Sequence, residues 1–86
     1  MKIKSLPIHG AYEVQYTNIS DDRGTFKRLF CSDELKNTIS NKQIVQTNLS
    51  ETSFKGSIRG MHYQKYPKSE IKLIHCIQGS VFDVMV

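Results

Sequence analysis

Ile71-Lys72-Leu73-Ile74-His75-Cys76-Ile77-Gln78-Gly79-Ser80-Val81-Phe82-Asp83-Val84-Met85-Val86 is the run whose reading decides the fold class. Two arms, β-branched or apolar at most positions, flank Gly79-Ser80. A two-residue link of that kind favours a tight hairpin. The density of apolar residues in both arms predicts burial on both faces. Lys72 interrupts the first arm as the one cation among Ile71, Leu73, Ile74 and Ile77. The run ends at Val86 without turn or polar tail, and a buried strand normally has partners and a way out. The expectation is therefore a part of something longer.

Working back from that run, shorter strands follow one another. Residues 58–64 form a strand candidate between Gly56 and Pro67, and residues 44–49 another. In the latter, Gln46 and Asn48 share one face, and Val45, Thr47 and Leu49 the other. Tyr12-Glu13-Val14-Gln15-Tyr16 alternates, with Tyr12, Val14 and Tyr16 together. Asn18, Ser20, Asp21, Asp22 and Gly24 supply turn chemistry. Residues 25–30 are β-prone at both ends. Ser32-Asp33-Glu34 before Leu35 reads as a helix start, with a short polar cap and acids in the first turn. Thr38-Ile39-Ser40-Asn41 limits that helix to two turns at most. Five or six short strands with one marginal helix predict an all-β sandwich or barrel. No repeat, low-complexity segment or boundary divides residues 1–86, so one small domain is expected.

Composition narrows the function classes. The chain has 86 residues, 38% of them hydrophobic and 23% charged, which excludes a disordered chain. No stretch reaches membrane-spanning length, and the start lacks a signal-peptide core, so a soluble cytoplasmic protein is expected. Cys31 and Cys76 fit no metal-ligand or redox spacing and read as buried thiols. The net charge of +4 suits an anionic partner. Nucleic acid is one candidate and a phosphorylated metabolite another: the basic residues are spread along the chain, with a near-cluster from Lys65 to Lys72 and no run of five, and the charge alone decides nothing.

Four polar features sit within or beside these apolar stretches: Asp22-Arg23-Gly24, Gln46 with Asn48, Arg59-Gly60-Met61-His62, and Lys72. Each has an ordinary explanation. Arg23 pairs with Asp21 or Asp22 at the surface; Gln46 and Asn48 face solvent; His62 is packed and hydrogen-bonded; Lys72 extends its ammonium out from a strand end. Taken together they describe a task. Arginines and a lysine hold a diphosphate and polarise a carbonyl, and an imidazole takes a proton from the neighbouring carbon. Histidine is the side chain whose unperturbed pKa suits a base near neutral pH. A fixed positive charge at Lys72 would stabilise the enolate oxygen. Arg59 and His62, three apart, face opposite sides of a regular strand. They can share a site only where the chain bends, and Gly60 permits the bend.

With these elements in order, the chain resembles the dTDP-4-dehydrorhamnose 3,5-epimerase family. The resemblance lies in Asp21 or Asp22 through Phe26, Gln46 through Ser50, Arg59-Gly60-Met61-His62-Tyr63-Gln64, Lys72-Leu73, and Gly79 through Val84. It implies a cupin-like jelly roll (double-stranded β-helix), incomplete in this chain, usually a homodimer that exchanges N-terminal strands. It further implies cofactor-free epimerisation of a nucleoside-diphosphate 4-keto-6-deoxyhexose. By position, His62 looks like the proton acceptor. Arg59 and Lys72 look like substrate binders and enolate stabilisers. Arg23 and Phe26 look like nucleotide contacts, and Gln46 and Asn48 like substrate contacts.

The pattern departs from the family in three ways. Arg28 stands among the substrate-binding positions where many members have glutamate, which reverses a charge at the nucleotide end. His62-Tyr63-Gln64 lacks the His-x-His of metal-binding cupins, so no metal is expected. The tyrosine proton donor and the aspartate that orients the base have no counterpart here, since Tyr12, Tyr16, Tyr63 and Tyr66 do not match. A non-catalytic sugar-nucleotide-binding jelly roll is the alternative. The related ketoisomerases fit less well, lacking here a second histidine just after the first.

Overall fold

The computed structural model describes residues 1–40 and 42–86. They are sheet-rich with one short helix, in two compact units: Met1–Asn41 with Val81–Val86, and Lys42–Ser80.

The first unit opens with a hairpin. Strand β1 (Lys2–Ser5) pairs antiparallel with β2 (Tyr12–Gln15) in the register Lys2↔Gln15, Ile3↔Val14, Lys4↔Glu13, Ser5↔Tyr12. Opposite residues share a face in this register. Ile3 and Val14 are the half-buried residues of the two strands and lie on it together, while Lys2, Lys4, Glu13 and Gln15 keep to the solvent. Leu6 N–H donates to the Ala11 carbonyl and Ala11 N–H to the Ile8 carbonyl, each at 3.0 Å, which closes the connecting loop. The alternation expected of residues 12–16 is present through Gln15. β1, whose apolar content is the single Ile3, had no signal of its own.

A second hairpin pairs β3 (Ile19–Asp21) with β4 (Gly24–Phe26), in the register Ile19↔Phe26, Ser20↔Thr25, Asp21↔Gly24. Here turn and strand divide differently from expectation. Asp22-Arg23 is the whole link, so residues 19–21, grouped with the turn, are strand, and the strand expected over 25–30 stops at Phe26. Gly24 has φ +137°, backbone that only glycine enters freely, immediately after the link. The Ser20 and Thr25 hydroxyls lie 3.0 Å apart across the ladder.

Helix α1 (Ser32–Ile39) follows. Its cap is Cys31 rather than Ser32, and the cap has extended backbone without a side-chain hydrogen bond. The Leu35 N–H donates to the Cys31 carbonyl at 3.0 Å, so Ser32 is already helical. Eight residues make slightly more than two turns. Asp33 and Glu34 stand in the first turn, where the helix dipole favours negative charge. Ser40 leaves helical geometry at φ +52°; of the expected terminator, Asn41 lies outside the described residues. Leu35 is buried, with Thr38 and Ile39 half-buried beside it at the i+3 and i+4 spacing of one face. Leu35 is the one buried residue among those described, at 2% exposure. Burying such a side chain contributes about 1.5–3 kcal/mol.

From residue 42 onward the expected strands do not form ladders. Residues 44–49, 58–64, 71–78 and 81–86 carry no strand pairing, and the expected hairpin at Gly79-Ser80 is a bend with Gly79 at φ +84°. The reason is physical: a strand exists only against a neighbour that takes up its N–H and C=O groups, and no described segment lies in ladder register with these. Their apolar side chains accordingly stand in solvent, with Val45, Ile58 and Phe82 each 93% exposed. The two-sided burial expected of residues 71–86 is absent. Cys31 is half-buried and Cys76 exposed; both are free thiols, neither the buried one expected. No helix is long and apolar enough to cross a membrane among the described residues.

Candidate functional site

In the first unit, the β3–β4 link presents Arg23. Its guanidinium takes both Nε and Nη2 to Asp21 Oδ2, and its backbone N–H donates to Asp21 Oδ1 at 2.9 Å. This Asx-type clasp is what a two-residue turn with an aspartate before it builds. The Arg23 side-chain and backbone bonds hold the Asp21 carboxyl below the usual carboxylate range, and Asp21 in turn raises Arg23. The ordinary surface pairing of Arg23 is thus the one present, and its side chain is 90% exposed.

Beyond β4, Phe26 and Arg28 line a half-open cavity of about 180 Å³ with Met1, Thr17, Ile19 and Glu34. Glu34 organises one wall. Its Oε1 accepts from the chain's amino-terminal ammonium at 2.8 Å, and its Oε2 from Arg28 Nη1 at 3.1 Å. The ammonium first, and Arg28 second, bring the Glu34 carboxyl down from 4.5 to about 2. Arg28 is raised, chiefly by Glu34. Because the Glu34 pKa is lowered on folding, its contribution to stability is complete above pH 4.5 and is lost as pH falls through about 2. A carboxyl-resolved NMR titration is expected to find Glu34 ionised well below the pH at which unpaired glutamates protonate; a midpoint near 4.5 would show that the clasp does not hold in solution.

Glu34 is the residue that sequence reading missed. It was seen only as an acid in a first turn. Its contact with Met1 spans 33 positions, and no local pattern announces such a pair. Thr17, Ile19 and Met1 likewise carried no signal.

The second unit holds the remaining candidates. Gln46 Nε2 donates to Asn48 Oδ1 at 3.5 Å, and both side chains are exposed on the face expected of them. Arg59 Nη2 donates to the Glu51 carbonyl at 3.2 Å, which anchors the guanidinium to the segment ahead of the Phe54–Ser57 turn. Gly60 has φ +111°, so the strand alternation between Arg59 and His62 is broken at the residue expected to break it. The His62 ring folds back over Gly60: a Cβ there would meet His62 Nδ1 at 3.4 Å. Any other residue at 60 would be strained by its backbone, and its Cβ would touch the ring. His62 is exposed, and no hydrogen bond or ion pair occupies its ring among the described residues. Lys72 Nζ lies 3.4 Å from Glu70 Oε1, two residues back along the chain. Among the described residues, no group of three or more His, Cys, Asp and Glu side chains is placed to hold a metal ion.

Among the described residues, the first unit offers a cavity built around Phe26, Arg28 and Glu34, and the second an exposed imidazole at His62 beside Gly60. Comparison with known proteins gives the family of the chain. The profile of the dTDP-4-dehydrorhamnose 3,5-epimerase family matches residues 5–86. A dTDP-4-dehydrorhamnose 3-epimerase of Streptomyces niveus is 33% identical over 87 residues, covering 100% of this chain and 42% of that protein. A dTDP-4-dehydrorhamnose 3,5-epimerase of Streptomyces griseus is 32% identical over 85 residues, covering 98% and 42%. The enzyme of that name from Shigella flexneri is 40% identical over 67 residues, covering 77% and 36%. No solved structure matches the chain at a comparable level of significance. The chain spans a little over two fifths of the length of the first of these relatives, and over that span it belongs to the dTDP-4-dehydrorhamnose 3,5-epimerase family.

Proposed function

We propose that residues 1–86 are the N-terminal part of a cytoplasmic sugar-nucleotide epimerase with a cupin-like jelly roll, acting as a homodimer on a nucleoside-diphosphate 4-keto-6-deoxyhexose. The observation that carries this is the family match over residues 5–86, which runs through every candidate site residue. The exposed apolar segments support the incomplete jelly roll, since residues 44–86 have strand composition and lack only partners.

In this reading His62 removes the proton on the carbon beside the keto group. The C–H electron pair moves into a C=C bond and the carbonyl electrons onto oxygen, giving an enolate. Lys72 stabilises that oxygen, and Arg59 helps to hold the sugar and diphosphate. Return of a proton to the opposite face inverts the carbon. The donor for that step lies outside these residues. Arg23, Phe26 and Arg28 contact the nucleotide, and Gln46 and Asn48 contact the substrate beside the base. Neither metal nor cofactor is required, and neither nucleic acid nor membrane is a partner. One relative is named a 3-epimerase and another a 3,5-epimerase, so inversion at one carbon and at two both fit the family.

The full-length protein is expected to wash solvent deuterium into the sugar at the carbons flanking the keto group, read by NMR. Binding of the nucleotide sugar with no exchange would overturn the catalytic reading in favour of a binding protein, the alternative that a chain without a matching tyrosine donor keeps open.

A further inference from the structure

We propose that Ser57 is a positioning residue for diphosphate binding: its hydroxyl closes the turn that keeps the Arg59 guanidinium seated on the Glu51 carbonyl. The inference rests on the nucleoside-diphosphate reading above and deepens it, adding a residue that carried no signal of its own.

Charge sets Arg59 apart from the other candidate cations. Arg23, Arg28 and Lys72 each lie within ion-pair distance of a carboxylate, on Asp21, Glu34 and Glu70. Arg59 bonds instead to a main-chain carbonyl, Nη2 to Glu51 at 3.2 Å. Among the described residues it makes no other hydrogen bond or ion pair. A carbonyl orients a guanidinium without cancelling its charge. Nε and Nη1 are left for a ligand, and adjacent phosphate oxygens are what such a planar fork matches.

The chain between the two residues decides whether that carbonyl is within reach. The Ser57 N–H donates to the Phe54 carbonyl at 3.3 Å, which closes a four-residue turn. Gly56, third in that turn, has φ +82°, while Lys55 before it keeps a negative φ, the combination of a type II turn. At 3.3 Å the backbone bond is long for an N–H···O contact. The Ser57 hydroxyl donates to the same carbonyl at 2.8 Å and is the shorter of the two clasps. Glu51 precedes the turn and Arg59 follows it, so the turn sets how the two ends meet. Glu51, Phe54, Ser57 and Arg59 are all exposed. Removing the hydroxyl therefore strands no buried polar group, and its effect falls on the seat of Arg59 rather than on folding.

The test is calorimetric titration of the full-length protein with dTDP, UDP, GDP and CDP at one fixed salt concentration. The diphosphate that the wild-type protein binds most tightly is then carried to the variants. Ser57→Ala is expected to weaken its binding about fivefold, the effect of losing one hydrogen bond. Ser57→Thr restores the hydroxyl and is expected to match the wild type. Ser57→Ala added to Arg59→Ala is expected to bring no further loss, because a residue acting through Arg59 then has nothing to act on. Wild-type affinity in Ser57→Ala overturns the inference and leaves the nucleoside-diphosphate reading standing. A loss that threonine does not restore, or that adds in full to that of Arg59→Ala, does the same. So does a Ser57→Ala protein that fails to fold, which would make the serine structural. Binding of none of the four by the wild-type protein overturns both.

Discussion

Alanine at position 62 is expected to lower deuterium incorporation by the full-length protein by about 10²–10⁴-fold while leaving nucleoside-diphosphate affinity nearly unchanged. A base must meet a substrate carbon, so it must be reachable and its ring nitrogens uncommitted. His62 satisfies both conditions among the described residues: its side chain is exposed and no hydrogen bond or ion pair occupies the ring. The φ of +111° at Gly60 takes His62 out of strand alternation with Arg59, and the ring rests over the space that a side chain at 60 would fill. A histidine kept for packing would be buried and bonded instead, and its loss would lower stability and binding together. The measurement that separates the two is exchange set against binding in the same variant. His62→Gln keeps polarity without basicity and is expected to fail as His62→Ala does. Exchange at the wild-type rate in either variant sinks the assignment.

The first forty residues were partly legible because their pairings are local. Val14 alternates with polar neighbours, and the strand partner it needs lies eleven residues earlier at Ile3. Strand β3 was read as turn because Ser20, Asp21 and Asp22 are turn formers by type. In the fold, Ser20 spends its hydroxyl across the ladder on Thr25 instead, and pairing overrides propensity. The helix was read correctly in place and approximate length, and misread by one residue at its cap. Residues 44–86 were legible in composition alone. Sheet pairing is a non-local property, and an apolar run states that a strand needs burial without naming what buries it.

The candidate site divides in the same way. Chemistry follows from residue type, so an imidazole, cations and amides could be picked out before any geometry was known. Which partner holds each group does not follow from type. Arg28 was noted for its sign alone, whereas its orientation depends on Glu34, six residues on, and on an ammonium at the far end of the unit's chain. Gly60 differs in one respect, because the demand for a bend there could be stated as a backbone angle, and its φ is +111°.

Replacing Lys72 by alanine is the second large effect, about a 10²–10³-fold loss in kcat with a small change in KM, if the ammonium meets the enolate oxygen only as charge develops there. Its present partner is compatible with that role. The Lys72–Glu70 pair is 3.4 Å apart with both side chains 40% or more exposed, and a solvated pair of this kind is worth little. Moving the ammonium from Glu70 to a substrate oxygen therefore costs little. Glu70→Gln is accordingly expected to leave exchange within a small factor of wild type. Lys72→Arg restores the charge with a broader, planar head and is expected to recover activity only in part, because a point charge is what a single oxygen requires. Steady-state rates for the three variants, with nucleotide affinity measured alongside, distinguish this from a purely structural lysine. A structural lysine would show its loss in stability, be rescued by arginine, and leave the ratio of kcat to wild type unmoved once folded protein is counted. An unchanged kcat in Lys72→Ala removes Lys72 from the chemistry and returns the oxyanion role to Arg59.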